Sequence, residues 1–447
     1  MNAGGTLEPG SGGRRSGPSI GWLGPGLVAL GWTALAAEAY SFLVYFLAGM
    51  PFRPWSFVKI GWLYLLSFSR VGLRVTVGGT LSALIDKGVG GEIVYTLHLA
   101  FLLGTGLAAW LLFRAGRTAA LRIDAPALSR GAIGAAVAIP YAGLAFLGSF
   151  LAAVRFPAQG VPVIRPVFWQ ALVFPLLMAG ACGAVGGLSA AGDRMRATRA
   201  GRWSMRWVVG GWRALLAGLA LAIVGLLVLA VLYPDATGAY SRWLVHGHTG
   251  ALVFAHQLLS LPNHAMFILA PAMGGCDTVA GGGHAVRMLC AGSFMSPELL
   301  ITVPFAHGVP GVNDLGISPG STPATFRLFL VVPLVAAVLG GRAAAAGLRR
   351  FGERAVAGIG AGVVFGVLVL AAAWVASVVL TIPATSSAPA VRVRLGPELL
   401  PPALLALAWG IAGGAIGGLS VRSQEGAAVP VPAPGEPGPE PPSPTSV

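Results

Sequence analysis

Charge is what this chain has least of. Only 10% of its 447 residues are Asp, Glu, Lys or Arg, where soluble globular chains carry about a quarter. That leaves too few charges to cover a water-facing surface. Lysine is nearly missing, since Lys59 and Lys87 are the only two. Neither follows the glycine that a phosphate-cradling GxxxxGK[ST] loop requires, and nucleotide hydrolysis is not expected. Three cysteines without a CxxC exclude a sequence-level zinc ribbon or thioredoxin motif. HExxH is absent, and the GxSxG pattern at residues 316–320 lacks the strand before it and the helix after it that a nucleophile elbow needs, so it reads as a Gly/Pro turn.

What is present is apolar. Hydrophobic residues make up 55% of the chain, glycine occurs 66 times, and the mean hydropathy is +0.78. A bilayer core of about 30 Å takes about 20 apolar residues per helix. By that ruler eight segments are expected to span, at residues 26–49, 92–113, 131–153, 167–190, 213–233, 324–345, 355–382 and 397–421. The expected fold is all-α, a polytopic transmembrane helical bundle.

The net charge of +14 comes from arginines gathered between these runs: Arg114, Arg117, Arg122 and Arg130, then Arg194, Arg196, Arg199, Arg202, Arg206 and Arg213, then Arg342, Arg349, Arg350 and Arg354. The positive-inside rule makes these connections, and with them both termini, cytoplasmic. Anionic lipid head groups are the partners such loops attract, and nucleic acid is not expected. Two further apolar segments are not expected to cross. Residues 55–77 are interrupted by Lys59, Arg70 and Arg74, with Trp55, Trp62 and Tyr64 interleaved, which suits an interfacial helix. Residues 251–273 are split at Pro262 and Asn263 into halves too short to cross, which suits a re-entrant helix-break-helix.

An internal repeat organises the rest. ACGAVGGLS at residues 181–189 reads against AGGAIGGLS at 412–420, seven identities in nine, and residue 412 lies 231 positions after residue 181. The same offset lays the second expected helix on the sixth and the third on the seventh. Gly31-Trp32 and Gly211-Trp212 open the first helix of each half. The division is a disordered tail 1–22, a four-helix unit 23–193, an Arg-rich linker 194–212, a second four-helix unit 213–422 with an outer loop 274–323, and a Pro-rich acidic tail 423–447. Such parallel repeats occur in secondary transporters.

Few residues suggest chemistry. Glu38 is the only acid deep within an expected span, where a charge costs on the order of 3 kcal/mol; a proton or cation site and a protonated structural carboxyl both fit. Ala179, Gly183 and Gly187, with Gly410, Gly414 and Gly418, form small-xxx-small ladders that suit a helix-packing seam near the axis relating the halves. His246, His248, His256, His264, His284 and His307 share the outer side with Cys276 and Cys290, yet their spacing matches no closed zinc site, and neither metal nor cofactor is expected. Cys276 and Cys290 suit a disulfide in an oxidising compartment, worth about 3 kcal/mol in the chain-entropy model; two free thiols or a metal pair are the rival readings.

Residues 258–276, with Leu261-Pro262-Asn263 followed by LAPAMGGC from Leu269, together with YSFLV from Tyr40 and GWLYLL from Gly61, resemble the streptophobe family, very hydrophobic membrane proteins of high-GC bacteria. The resemblance covers about residues 20–422. It implies a bacterial plasma-membrane protein and supplies no catalytic residues. Function is expected to be transporter or permease-like, with a membrane scaffold or envelope-associated component as the alternative and a membrane-embedded enzyme as the second.

Overall fold

Inside a bilayer every backbone N–H and C=O needs a partner within the protein, so apolar runs of this length close into helices. In the computed structural model, residues 21–47, 54–77, 93–155, 163–192, 199–232, 249–281, 284–290, 324–384 and 390–421 are described. The first half holds α1 (Leu23–Leu47), α2 (Pro54–Phe68), strands β1 (Leu73–Val77) and β2 (Ile93–His98), and α3 (Leu102–Leu121). It continues with α4 (Ala127–Ala136) and α5 (Ala138–Ser149), which abut at Val137, then β3 (Val154–Arg155), β4 (Val163–Pro166) and α6 (Phe168–Ala190).

The second half repeats that order. It holds α7 (Arg199–Leu232), α8 (Thr249–Ala272), β5 (Cys276–Gly281) and β6 (His284–Cys290). A 3-10 helix (Ala324–Val331) then runs into α9 (Val332–Ala345), followed by α10 (Phe351–Ala376), β7 (Val378–Ile382), β8 (Val391–Pro397) and α11 (Leu400–Leu419). Among the described residues, seven helices are long and apolar enough to cross a membrane: Leu23–Phe46, Ala127–Ser149, Phe168–Ala190, Ala200–Val228, Arg327–Ala345, Phe351–Ala376 and Leu400–Leu419. The protein is an integral membrane protein. α3 is not among the seven, and it carries Arg114 and Arg117 within its twenty residues.

Side chains are distributed as a lipid solvent demands. The buried positions are dominated by alanine, with Ala37, Ala108, Ala179, Ala222, Ala336 and Ala373 all inaccessible. Large apolar groups point outward instead, among them Phe46, Leu177, Val224 and Val367. Small residues inside let backbones approach, and the apolar exterior meets hydrocarbon without penalty.

The glycines make the contact closest. A Cβ at Gly183 would overlap the carbonyl oxygen of Gly134, one at Gly187 that of Arg130, and one at Gly116 that of Gly183. The second half reproduces each contact: Gly414 against Gly358, Gly418 against Arg354, and Gly341 against Gly414. Arg130 Nη1 donates to Ala190 O at 2.8 Å, and Arg354 Nη1 donates to Val421 O. Each arginine thereby ties off the end of its half's last helix.

The eight strands among the described residues form one antiparallel sheet in the order β3-β4-β1-β2-β7-β8-β5-β6. Each half contributes four strands in the same relative order, and the β2–β7 pairing joins the halves. The strands follow or precede α2, α3, α5, α6, α8, α10 and α11 directly. The sheet therefore caps one end of the bundle, and the Arg-rich turns after α3 and α9 lie at the other. α2 starts and ends at the sheet end, because Tyr45 near the end of α1 and Ile60 and Leu63 of α2 pack with Val154, Leu73 and Ile164 of the sheet.

Several expectations are corrected here. The fold is not all-α. Strands β2 and β7 occupy parts of the expected spans 92–113 and 355–382, where alternating apolar residues continue a helix's hydropathy without its 3.6-residue period. The expected interfacial helix 55–77 is α2 followed by β1. Residues 249–272 form one helix with Pro262 and Pro271 inside it, so the break expected at Pro262 and Asn263 is absent. Most of the expected linker 194–212 is the first part of α7, since Trp203, Trp207 and Val208 extend its apolar face toward the arginines. The glycine seam lies within each half, α6 on α3 and α4 and α11 on α9 and α10, rather than at the axis between them.

Candidate functional site at the junction of the two halves

α2 and α8 end in the same turn. Arg70 N–H donates to Ser67 O and Val71 N–H to Leu66 O, at 2.8 and 3.2 Å; Gly274 N–H donates to Pro271 O and Gly275 N–H to Ala270 O, at 2.8 and 3.1 Å. This is the Schellman arrangement, which needs a left-handed residue. In the second half that residue is Gly274, with φ +109°, and in the first it is Arg70, with φ +61°. A side chain in this conformation costs about 1–2 kcal/mol. Arg70 is the one non-glycine residue with positive φ among the described residues.

Arg70 uses that turn to reach the other half. It is 6% exposed, its Nη2 donates to Ser377 Oγ at 3.1 Å, and its guanidinium lies 4.4 Å over the ring of Trp374. Both partners sit at the end of α10. Nη1 is buried without a hydrogen-bond partner. Burial, then Arg394, then Arg392 lower the Arg70 pKa to about 10. Beside it, Gln170 Oε1 accepts from Gly72 N–H at 2.7 Å and meets His98 Nε2 at 3.2 Å. His98 Nδ1 is buried and unpartnered. Burial lowers the His98 pKa, and Arg70 and Arg392 lower it further against the raising effect of Gln170.

The reciprocal contact comes from Asn263, 5% exposed on α8. Its Nδ2 donates to Ala100 O and its Oδ1 accepts from Leu102 N–H, both at 2.8 Å. Leu102 opens α3, whose N-cap, Phe101, offers no side-chain acceptor of its own. One amide thus satisfies two backbone groups of the opposite half.

The strand register adds a basic surface. Arg74 faces Arg165 and Thr96, Thr96 faces Thr381, Thr381 faces Arg392, Val379 faces both His98 and Arg394, and Arg155 faces Val163. Cross-strand partners share a face and alternate residues return to it. Arg74, Arg155, Arg165, Arg392, Arg394 and His98 therefore lie on one face. Asp277, the one acid on the described strands, is in register with Pro397 and lies on the other.

The residues singled out from the sequence are mostly not brought together. Glu38 lies in α1, with its carboxyl where a Cβ at Gly61 of α2 would fall and with Oε2 buried and unpaired. Cys276 is disulfide-bonded, Cys182 is free, and the hairpin register sets Cys276 opposite Cys290. His264 bonds Ser260, while His246, His248, His307 and the GxSxG pattern fall outside the described residues. Among the described residues, no group of three His, Cys, Asp or Glu stands together. A cleft of about 460 Å³ opens between α1 and α3, lined by Val28, Trp32, Arg114 and Arg122 among others. The sequence marks Asn263 only as a helix break and Arg70 only as an interruption of an interfacial helix, and links neither to the opposite half. The readable signal was Arg70 standing two residues past a helix end, where its counterpart is a glycine.

No family model, curated protein or solved structure matches the chain.

Proposed function

We propose that the protein is a permease-like membrane protein made by duplication, with eight crossings, in which α2 and α8 pack against the bundle from the sheet side without crossing. The sheet side is extracytoplasmic and the Arg-rich turns and both termini are cytoplasmic, in a bacterial plasma membrane. The observation that carries the reading is the reciprocal junction. Arg70, at the end of α2, holds α10, and Asn263, on α8, holds the start of α3. Two equivalent halves joined along one edge, by the β2–β7 pairing and these side-chain contacts, can hinge at that edge, and parallel-repeat transporters expose a central site to either side by rocking one half against the other. Arg114 and Arg122, above the apolar cleft of α1 and α3, are where an anionic lipid head group would sit.

One observation favours the envelope-associated alternative. Arg74, Arg155, Arg165 and Arg392 are exposed on one sheet face, and such a face would hold a polyanionic surface without any transport. A distance measurement separates the two readings. Gly192, after α6, and Gly352, in α10, lie at the end away from the sheet, one in each half, and a Cβ at either meets nothing within 4 Å. Spin labels on Gly192→Cys and Gly352→Cys, with Cys182→Ala, should give two distance populations in proteoliposomes by electron double resonance. A single narrow distance under every condition would leave the static reading standing.

A further inference from the structure

We propose that the junction binds a phosphate-type oxyanion, held chiefly by Arg70 with His98, Arg392 and Arg394 around it. The inference rests on the permease reading and names the ligand class of its junction. Four observations support it. The Arg70 side chain is 6% exposed and its Nη1 has no partner, although a buried guanidinium is ordinarily paired with a carboxylate. Its contacts, Ser377 and Trp374, are both neutral. The charges that act on Arg70 itself, Arg394 and Arg392, are of its own sign, while Glu398 acts on Arg394. His98 presents a second buried nitrogen without a partner.

The backbone adds a reason of a different kind. The fold satisfies the same turn with Gly274 in the second half, so the first half accepts strain in order to place an arginine here. Strain retained at a single non-glycine residue is a mark of function. The guanidinium fork offers parallel donors that match two oxygens of a phosphate group. A soluble phosphate-bearing compound and a phospholipid head group share that chemistry, and the junction lies where bilayer and sheet meet.

The test uses the full-length protein in maltoside micelles stripped of phospholipid, titrated separately with orthophosphate and with short-chain phosphatidic acid. Either should bind. Tighter binding of orthophosphate assigns a soluble ligand, and tighter binding of phosphatidic acid assigns a lipid head group. Arg70→Gly has a structural precedent at Gly274, so it should fold, elute and show circular dichroism as the parent does while binding at least about tenfold more weakly. Arg70→Lys keeps the charge without the fork and should also weaken binding. Arg155→Gln, at the sheet's edge strand, should leave it unchanged.

Absence of binding to both ligands overturns the proposal, as does undiminished binding by Arg70→Gly. An Arg155→Gln loss equal to that of Arg70→Gly would also overturn it, by placing the anion on the sheet face at large. Binding accompanied by a single fixed spin-label distance would retain the anion site and contradict the permease reading. Two distances without binding would do the reverse.

Discussion

At the scale of single residues, this protein keeps a few ionisable groups, Arg70, Asp277 and Arg354, buried where that works against their charge. Asp277 illustrates the consequence. It is 4% exposed, its Oδ1 has no partner, and burial together with the neighbouring Glu398 raises its pKa from 3.8 to about 8. The folded state therefore holds a proton that the unfolded chain releases near pH 4, and stability falls as pH rises from there through about 8. Asp277→Asn removes the ionisation while keeping the shape. The variant should melt above the parent at pH 8, by about 2–4 °C for each kcal/mol relieved, and the gap should close by pH 4. A constant gap from pH 4 to pH 8, read by thermal unfolding in micelles, would show that Asp277 titrates normally. Arg70 makes the complementary case, since its buried charge serves a contact and not the stability of its own turn.

At the scale of elements, the helix ladders were legible and the strands were not. Gly183 and Gly414 stand out because the surrounding motif recurs 231 positions later, and in the structure each presses against two neighbouring helices at once. Gly183→Val and Gly414→Val should each destabilise the fold by about 1–3 kcal/mol or more, since the obstacle is backbone that has nowhere to go. Gly143→Ala, where an added Cβ meets nothing within 4 Å, should be nearly neutral. Equal effects in a detergent-challenge melting series would refute the seam. The strands were hidden for a physical reason. Hydropathy averaged over about 19 residues merges a five- or six-residue strand with the helix beside it. The period was nonetheless there, in LRVTV at residues 73–77 and VRVRL at 391–395, where arginine alternates with apolar residues. Pro262 misled in the opposite sense, because neighbouring segments can satisfy the carbonyl that a proline frees and α8 continues through it.

At the scale of the whole molecule, the membrane class follows from composition and the recurring nonapeptide points to the recurring element order, whereas the junction has no such signal. Arg70 and Ser377 are separated by 307 positions and Asn263 and Ala100 by 163, and no local pattern links either pair. The central claim is that two equivalent halves are joined edge to edge through β2 and β7 beneath one sheet. Thr96 and Thr381 are register partners across that joint. The most direct measurement is to convert both to cysteine, place a protease site within residues 193–198, oxidise in the membrane, cleave, and run a denaturing gel without reductant. The account predicts one band at full length that separates into two half-length bands on reduction. Two half-length bands before reduction, with complete cleavage and both cysteines accessible, would contradict it.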